Sequence, residues 1–200
     1  LTEAVNKVET MVFQKAKKQQ YYCGDSYFYM ETENDYICAI ADGLGSGEFA
    51  KESSEIVISI IKDNIHLTIE QLIKRCNEKL NGKRGAVIGI LRIDFRSERY
   101  SFSSIGNIGV MTISENGKKK RNIPNSGYLA GYHRPFKIVT DELEPLMNFI
   151  MFSDGVTDRD LSQRFLLNRN VKHVVQAYAK YTEDELRDDD TTLIAIKYEA

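Results

Sequence analysis

The spacing of apolar residues changes three times along this chain, and that order limits the folds open to it. Alternating or continuous apolar segments rich in aromatics fill residues 10–17, 21–30 and 35–41 and predict three strands, the first two as a hairpin. The third strand is apolar on both faces, which marks it as central in a sheet. Phe49, Ser53, Ile56, Val57, Ile60 and Ile61 then share one face of a helix over 47–64. Ile69, Leu72, Ile73, Cys76 and Leu80 define a second helix, with Thr68 placed to cap it. After Asn81-Gly82 the period returns to two. Residues 86–95, 99–105 and 108–114 predict a three-strand meander turning at Ser97-Glu98 and Gly106-Asn107. Short strands follow near 119–123 and 136–141, then an apolar strand at 148–153, a helix bearing Val171, Val174, Val175 and Tyr178, and a last strand at 192–198.

Strands, two helices and then many strands is not the alternation of a doubly wound sheet. It predicts an α+β protein in which two mainly antiparallel sheets pack face to face with helices outside. No low-complexity linker or internal repeat divides residues 1–200, so one domain is expected. With 42% hydrophobic and 28% charged residues and a net charge of -2, the composition is that of a soluble globular protein without a basic face for nucleic acid. The basic run Lys118-Lys119-Lys120-Arg121 follows Glu115-Asn116-Gly117 and reads as a solvated hairpin end. No stretch is long enough to span a membrane, and the first thirty residues carry no signal-peptide pattern. Cys23, Cys38 and Cys76 are odd in number and lack CxxC spacing, which fits a reducing cytoplasm rather than a disulfide framework.

Carboxylates punctuate the apolar runs. Tyr36–Ala41 leads into Asp42-Gly43-Leu44-Gly45-Ser46-Gly47, Phe149–Ser153 leads into Asp154-Gly155, and Asp188-Asp189-Asp190-Thr191-Thr192 precedes Leu193–Ile196. Asp25 follows Gly24 in the aromatic segment. Strands ending in acids can gather them at one rim of a sheet, where they repel one another unless cations share the site. The glycine-rich turn after Asp42 also suits a phosphate cradle at a helix start, but it matches neither GxGxxG nor a P-loop, and the leading acid favours a cation. An all-oxygen set without a histidine-rich motif selects magnesium or manganese over zinc. Two such ions about 4 Å apart would acidify a shared water towards neutrality and neutralise phosphate oxygens, which makes phosphoester hydrolysis the expected chemistry.

In order and spacing, Gly24-Asp25, Asp42-Gly43-Leu44-Gly45, Ser153-Asp154-Gly155 and Asp189-Asp190-Thr191-Thr192 resemble the metal-dependent serine/threonine phosphatases of the PPM, or type 2C, family over essentially the whole chain. The resemblance implies a four-layer α-β-β-α sandwich with two Mn²⁺ or Mg²⁺ ions at one end. It implies that Asp42 bridges both ions, that the Gly43 carbonyl binds one, that Asp25 acts through bound water, and that Asp154 and Asp189 complete the shells. Pairing Thr192 with the family's threonine selects Asp189, whereas pairing Thr191 selects Asp188. The short length, Lys83-Arg84-Gly85-Ala86, Ile105-Gly106-Asn107 and Ser126-Gly127-Tyr128-Leu129 are similar to the branch that gives feedback on the bacterial stressosome. That implies phosphorylated STAS-domain scaffold proteins as substrates and damping of the general stress sigma-factor response; a monomer is expected, although the sequence itself does not fix the oligomeric state. A catalytically weak or inactive relative acting as a binding regulator is the alternative, and a two-metal nuclease is disfavoured by the missing basic surface.

The chain departs from the family at several points. Leu44 stands where many members carry histidine, Gln20 falls near the place of a phosphate-clamping arginine, Gly24 replaces a glutamate, and Asn107 replaces an aspartate tied to a third metal. The expectation is that metals alone carry phosphate, with modest turnover and strong metal dependence. Asn107 reads as an ordinary turn residue, and His66, His133 and His173 as structural or surface residues. The Gly127–Pro135 loop, with Tyr128, Tyr132, His133 and Arg134, is a candidate for substrate contact, although glycine turns and packed tyrosines account for it equally well.

Overall fold

The computed structural model describes residues 6–199. Its ten strands are β1 (Val8–Lys15), β2 (Asp25–Glu31), β3 (Asp35–Gly43), β4 (Ala86–Asp94), β5 (Arg99–Ile105), β6 (Gly109–Ile113), β7 (Lys119–Arg121), β8 (Val139–Glu142), β9 (Asn148–Phe152) and β10 (Thr191–Tyr198). They form two antiparallel five-stranded sheets, ordered β1-β10-β9-β6-β7 and β2-β3-β4-β5-β8. The helices are α1 (Glu48–Asp63), α2 (Ile69–Lys79), the single turn α3 (Asp158–Leu161) and α4 (Val171–Tyr181).

Alternation within the strands builds three apolar layers. On β3, Tyr36, Cys38 and Ile40 face Phe149, Met151, Ile194 and Ile196 of the other sheet. Ile37, Ala39 and Ala41 face the opposite way, onto Val57 and Ile61 of α1 and Leu72, Ile73 and Cys76 of α2. On the far side, Leu193, Ala195 and Ile150 pack under Val171, Val174 and Tyr178 of α4. The result is the expected helix-sheet-sheet-helix stack. None of the helices among the described residues is long and apolar enough to cross a membrane.

The second helix forms where its spacing placed it. The Thr68 hydroxyl accepts from the Gln71 amide at 3.2 Å, and the Gln71 side chain accepts from the Thr68 amide at 3.0 Å, closing a reciprocal cap. In α1 the buried stripe runs through Ala50, Ser53, Ser54, Val57 and Ile61, whereas Phe49, expected on that face, is 62% exposed. Two further sequence expectations differ from the structure. The predicted hairpin of 10–17 with 21–30 does not form, because β1 pairs along its whole length with β10 and β2 pairs with β3. The predicted meander breaks at Gly106-Asn107, where the chain leaves one sheet and β6 joins the other. Two short elements, α3 and a 3₁₀ turn at Arg164–Leu167, were not foreseen.

Glycines set the spacing between layers at a few positions. A Cβ on Gly89 of β4 would overlap the Cγ2 of Ile108 in the apolar layer between the sheets. Gly89→Ala is therefore expected to cost about 1–3 kcal/mol through overpacking, read as a lower urea midpoint with an unchanged slope. A wild-type midpoint would show that the sheets can separate without cost.

Candidate metal centre

The antiparallel register of β2 and β3 sets Asp25 directly opposite Asp42. Asp25 is fully buried at the start of its strand. Its Oδ2 accepts from the hydroxyls of Ser153 at 2.7 Å and Thr192 at 2.6 Å, and both of these residues belong to the other sheet's end of the sandwich. Ser153 Oγ in turn accepts from the Thr192 amide at 2.9 Å. Asp25 Oδ1 is buried and has no hydrogen-bond partner.

Asp42 ends the doubly buried strand β3, and the next residue admits no side chain, since a Cβ on Gly43 would overlap the Ala50 carbonyl of α1. Gly155 is equally confined, because a Cβ there would overlap the Asp190 carbonyl oxygen. Asp154 faces solvent and accepts from the Asn107 side-chain amide at 2.6 Å. Asn107 is thus more than the turn residue expected of it. It sits where the chain crosses between sheets and tethers the acid on the far rim.

The acidic triplet divides its work. Asp190 is buried, and its two carboxylate oxygens accept from the amides of Lys17 and Gly24, both at 2.9 Å, which pins residues 17–24 against the end of β10. Asp188 is exposed and pairs with Lys18. Asp189 lies between them, accepting from the following amide of Asp190 at 2.9 Å.

Burial and mutual repulsion raise the acids. Burial, then the charges of Asp25, Asp154, Asp189 and Asp190, push the Asp42 carboxyl up to about 8. Burial lifts Asp25 to about 6 against the opposing hydrogen bonds of Thr192 and Ser153, and burial with the Asp189 charge lifts Asp154 to about 6. Asp188 takes the reverse direction, lowered by its bond to Lys18. The structure therefore brings Asp25, Asp42, Asp154 and Asp189 within one another's fields and leaves Asp188 outside. Among the described residues no three Asp, Glu, His or Cys side chains close on one point as a ready-made cage. Asp154 instead accepts from the Asn107 side-chain amide, and Asp189 accepts from its own chain at the Asp190 amide. The donors fit a hard divalent cation, since they are all oxygens and include a buried carboxylate oxygen with nothing to bond.

Behind the rim lies a network the sequence did not reveal. Arg187, directly before the triplet, donates to the Gly155 carbonyl at 2.6 Å, to Asp160 Oδ2 at 2.6 Å and Oδ1 at 3.1 Å, and to Glu185 at 2.6 Å. Tyr178 of α4 adds a hydroxyl bond to Asp160 at 3.0 Å. This fork ties the Asp154-Gly155 turn to the Asp188–Asp190 segment. The only signal was an arginine beside three acids, and nothing in the sequence named Asp160 as its partner.

Two antiparallel five-stranded sheets flanked by helices give the chain a PP2C-type phosphatase fold, as comparison with known proteins shows. The family model described as Stage II sporulation protein E (SpoIIE) matches residues 32–199. Phosphoserine phosphatase RsbX of Bacillus subtilis (strain 168) is 34% identical over 187 residues, 94% of this chain and 93% of that protein. The crystal structure of RsbX in complex with magnesium superposes with a TM-score of 0.88 at 33% identity, covering 98% of this chain and 97% of that one. A chain solved in a study of the bacterial stressosome, described as a modular system adapted to control secondary messenger signalling, matches with a TM-score of 0.83 at 25% identity over 96% of this chain and 100% of that one. The catalytic domain of the serine threonine protein phosphatase PstP in complex with 2 manganese ions shares the fold, with a TM-score of 0.78 at 13% identity over 96% and 99% of the two chains. The chain belongs to the SpoIIE/PP2C-type family and is a serine/threonine protein phosphatase.

Asp160 and Arg187 expose 2% and 8% of their side chains, so breaking the pair strands a buried charge. Asp160→Asn is expected to lose about 3–5 kcal/mol of stability at neutral pH. Burial opposes ionisation of Asp160, but bonds from Arg187, Thr157 and Tyr178 outweigh it and hold its carboxyl below the ordinary value. The stability it contributes is present above the unfolded carboxylate pKa and disappears as pH falls through the depressed one. Urea unfolding should show the variant's deficit shrinking on acidification below about pH 4; a deficit independent of pH would exclude the charge as its source.

Proposed function

We propose that Asp25, Asp42, Asp154 and Asp189, with the main-chain carbonyl of Gly43, hold two divalent cations, manganese or magnesium. On this reading the chain, acting as one cytoplasmic, monomeric domain, removes phosphate from phosphoserine and phosphothreonine on STAS-domain scaffold proteins of a stressosome. It would thereby give negative feedback on the general stress sigma-factor response. The observation that carries the metal site is the pairing of Asp25 with Asp42 across two strands, together with a buried Asp25 carboxylate oxygen that has no hydrogen-bond partner. The likeness to phosphoserine phosphatase RsbX and to a chain from a stressosome study supports the substrate class.

When bound, divalent cations supply Lewis-acid chemistry, acidifying water and neutralising phosphoryl oxygens. The residues of the chain prepare for that charge. Ser153 and Thr192 fix one Asp25 oxygen and turn the other free. Asn107 orients Asp154, and the Arg187 fork fixes the turn that follows it. Leu44, packed against the layer between the sheets, offers no proton in the loop after Gly43. The leaving alkoxide must therefore be protonated by water.

Asp42→Asn should abolish manganese-dependent phosphate release from an aryl phosphate while leaving the circular dichroism spectrum unchanged. Asp189→Asn should lower kcat by about 10²-fold or more, and Asp188→Asn should stay within about twofold because an exposed ion pair contributes little. Equal losses at Asp188 and Asp189 would overturn the ligand assignment.

Metal affinity should also rise with pH. Carboxyls raised to about 6 and 8 keep protons that a cation must displace. A folded-state pKa above the unfolded one means that ionisation destabilises the metal-free chain as pH climbs through that window. Calorimetric titration with manganese should therefore release protons, and the gain in Tm on adding metal should be larger at pH 8 than at pH 6. A gain that falls with pH would count against these acids as the ligands.

A further inference from the structure

Beside the acidic rim, two arginines lie on aromatic faces and have no carboxylate partner among the described residues. The Arg84 guanidinium sits 5.2 Å from the ring centre of Phe49, the exposed first-turn residue of α1 that the helix pattern expected to be buried. Its Nη1 lies 2.5 Å from where a Cβ on Gly45 would stand, so the cation covers the loop that follows Asp42-Gly43. Gly45 has φ +97°, a conformation that favours glycine and leaves room for the guanidinium. On the other flank, the Arg134 guanidinium sits 5.3 Å from the ring centre of Tyr128, and its Cδ and Nη1 are each 3.1 Å from a Cβ position on Gly127. The Gly127 carbonyl is 3.1 Å from a Cβ position on Gly106, the residue before the Asn107 that tethers Asp154. Gly85 joins the two flanks, since a Cβ there would meet Leu129 O at 2.6 Å and the Tyr128 ring at 3.2 Å.

Among the described residues neither cation has an ion-pair partner. Arg92, Arg121 and Arg187 are matched by Asp35, Asp158 and Asp160, whereas no ion pair joins Arg84 or Arg134 to any of the rim acids. An arginine stacked on an aromatic face loses little further freedom on binding and presents its outer N–H edge to a carboxylate in a fork. The phosphoryl group belongs to the acidic centre and its cations, and the arginines flank that centre at Gly45 and Gly127.

We propose that Arg84 and Arg134, seated on Phe49 and Tyr128, form a docking rim for phosphorylated protein segments that carry acidic side chains next to the phosphorylated residue. This rests on the phosphatase reading above and narrows its substrate class. The test is binding by the manganese-loaded chain, followed by fluorescence anisotropy, of two peptides bearing the non-hydrolysable phosphonate analogue of phosphoserine. One peptide has aspartates on both sides and the other has alanines. Wild type should prefer the acidic peptide, with a preference that shrinks as salt is raised. Arg84→Gln and Arg134→Gln should each cut that preference about fivefold, and the double variant should abolish it. Arg96→Gln, in the turn at the opposite end of β4, should keep it. Equal affinity of wild type for the two peptides would overturn the proposal. So would a proportional loss for both peptides in the arginine variants, which would place the arginines on the phosphoryl group itself. The binding ratio needs no turnover, so failure of the hydrolysable peptides to release phosphate would count against the catalytic reading while the ratio still decides the docking rim.

Discussion

One carboxylate joins the two halves of this sandwich where its chemistry is placed. Asp25 begins a strand of one sheet, yet its bonded oxygen is held by Ser153 and Thr192 at the ends of two strands in the other. Gln14 of β1 reinforces the junction, donating to Thr192 Oγ1 at 3.1 Å and to the Asp25 carbonyl at 3.4 Å. Burying a carboxylate is unfavourable unless its oxygens are bonded. Here two hydroxyls satisfy one oxygen and nothing satisfies the other. The fold thus carries a fixed, half-satisfied anion at the seam between its sheets, and the neighbouring acids are arranged around it.

That arrangement is electrostatically unfavourable by itself, and the surrounding structure has to sustain it. Three apolar layers supply the cohesion, and backbone closeness at Gly43 and Gly155 brings the acidic turns against α1 and β10. The Arg187–Asp160 fork is the only strongly buried ion pair among the described residues, and it stands directly behind these turns rather than elsewhere in the molecule. Two of the acids also have donors of their own, Asn107 for Asp154 and the Asp190 amide for Asp189.

What the sequence disclosed and withheld follows from range. The helix at Ile69–Lys79 was legible from its i, i+3, i+4 spacing and its Thr68 cap, and β3 from its unbroken apolar run, because both signals are local. Aromatic alternation marked β1 and β2 as strands, but alternation fixes faces and not partners, and β1 found its partner at the other end of the chain. The crossing at Gly106-Asn107 was hidden for the same reason, since a tight turn and a change of sheet use similar residues. At the rim, the strand ends singled out Asp25, Asp42 and Asp154 as candidates, while the pairing of Asp188 with Lys18 is a contact that no local pattern in the sequence displays. Asn107 was undervalued because a glycine-asparagine pair explains itself locally, and the Arg187–Asp160 fork was missed because 27 residues separate its members.

The site divides into two kinds of charge with different physical consequences. The rim acids lie in or beside the buried seam, where Coulomb interactions are weakly screened and each charge alters the ionisation of the next. Arg84 and Arg134 stand in solvent on exposed rings, where screening confines their influence to a few ångströms and to whatever docks on them. On the reading proposed above, charges of the first kind would govern whether phosphate can be hydrolysed, because they would decide whether cations are held. Charges of the second kind shift which protein segment arrives and how fast, without entering the energetics of the reacting bond. With Leu44 in the loop after Gly43, the proposed site would have little side-chain chemistry beyond its acids with which to raise turnover. Selectivity at the rim is the property its surface is still free to adjust.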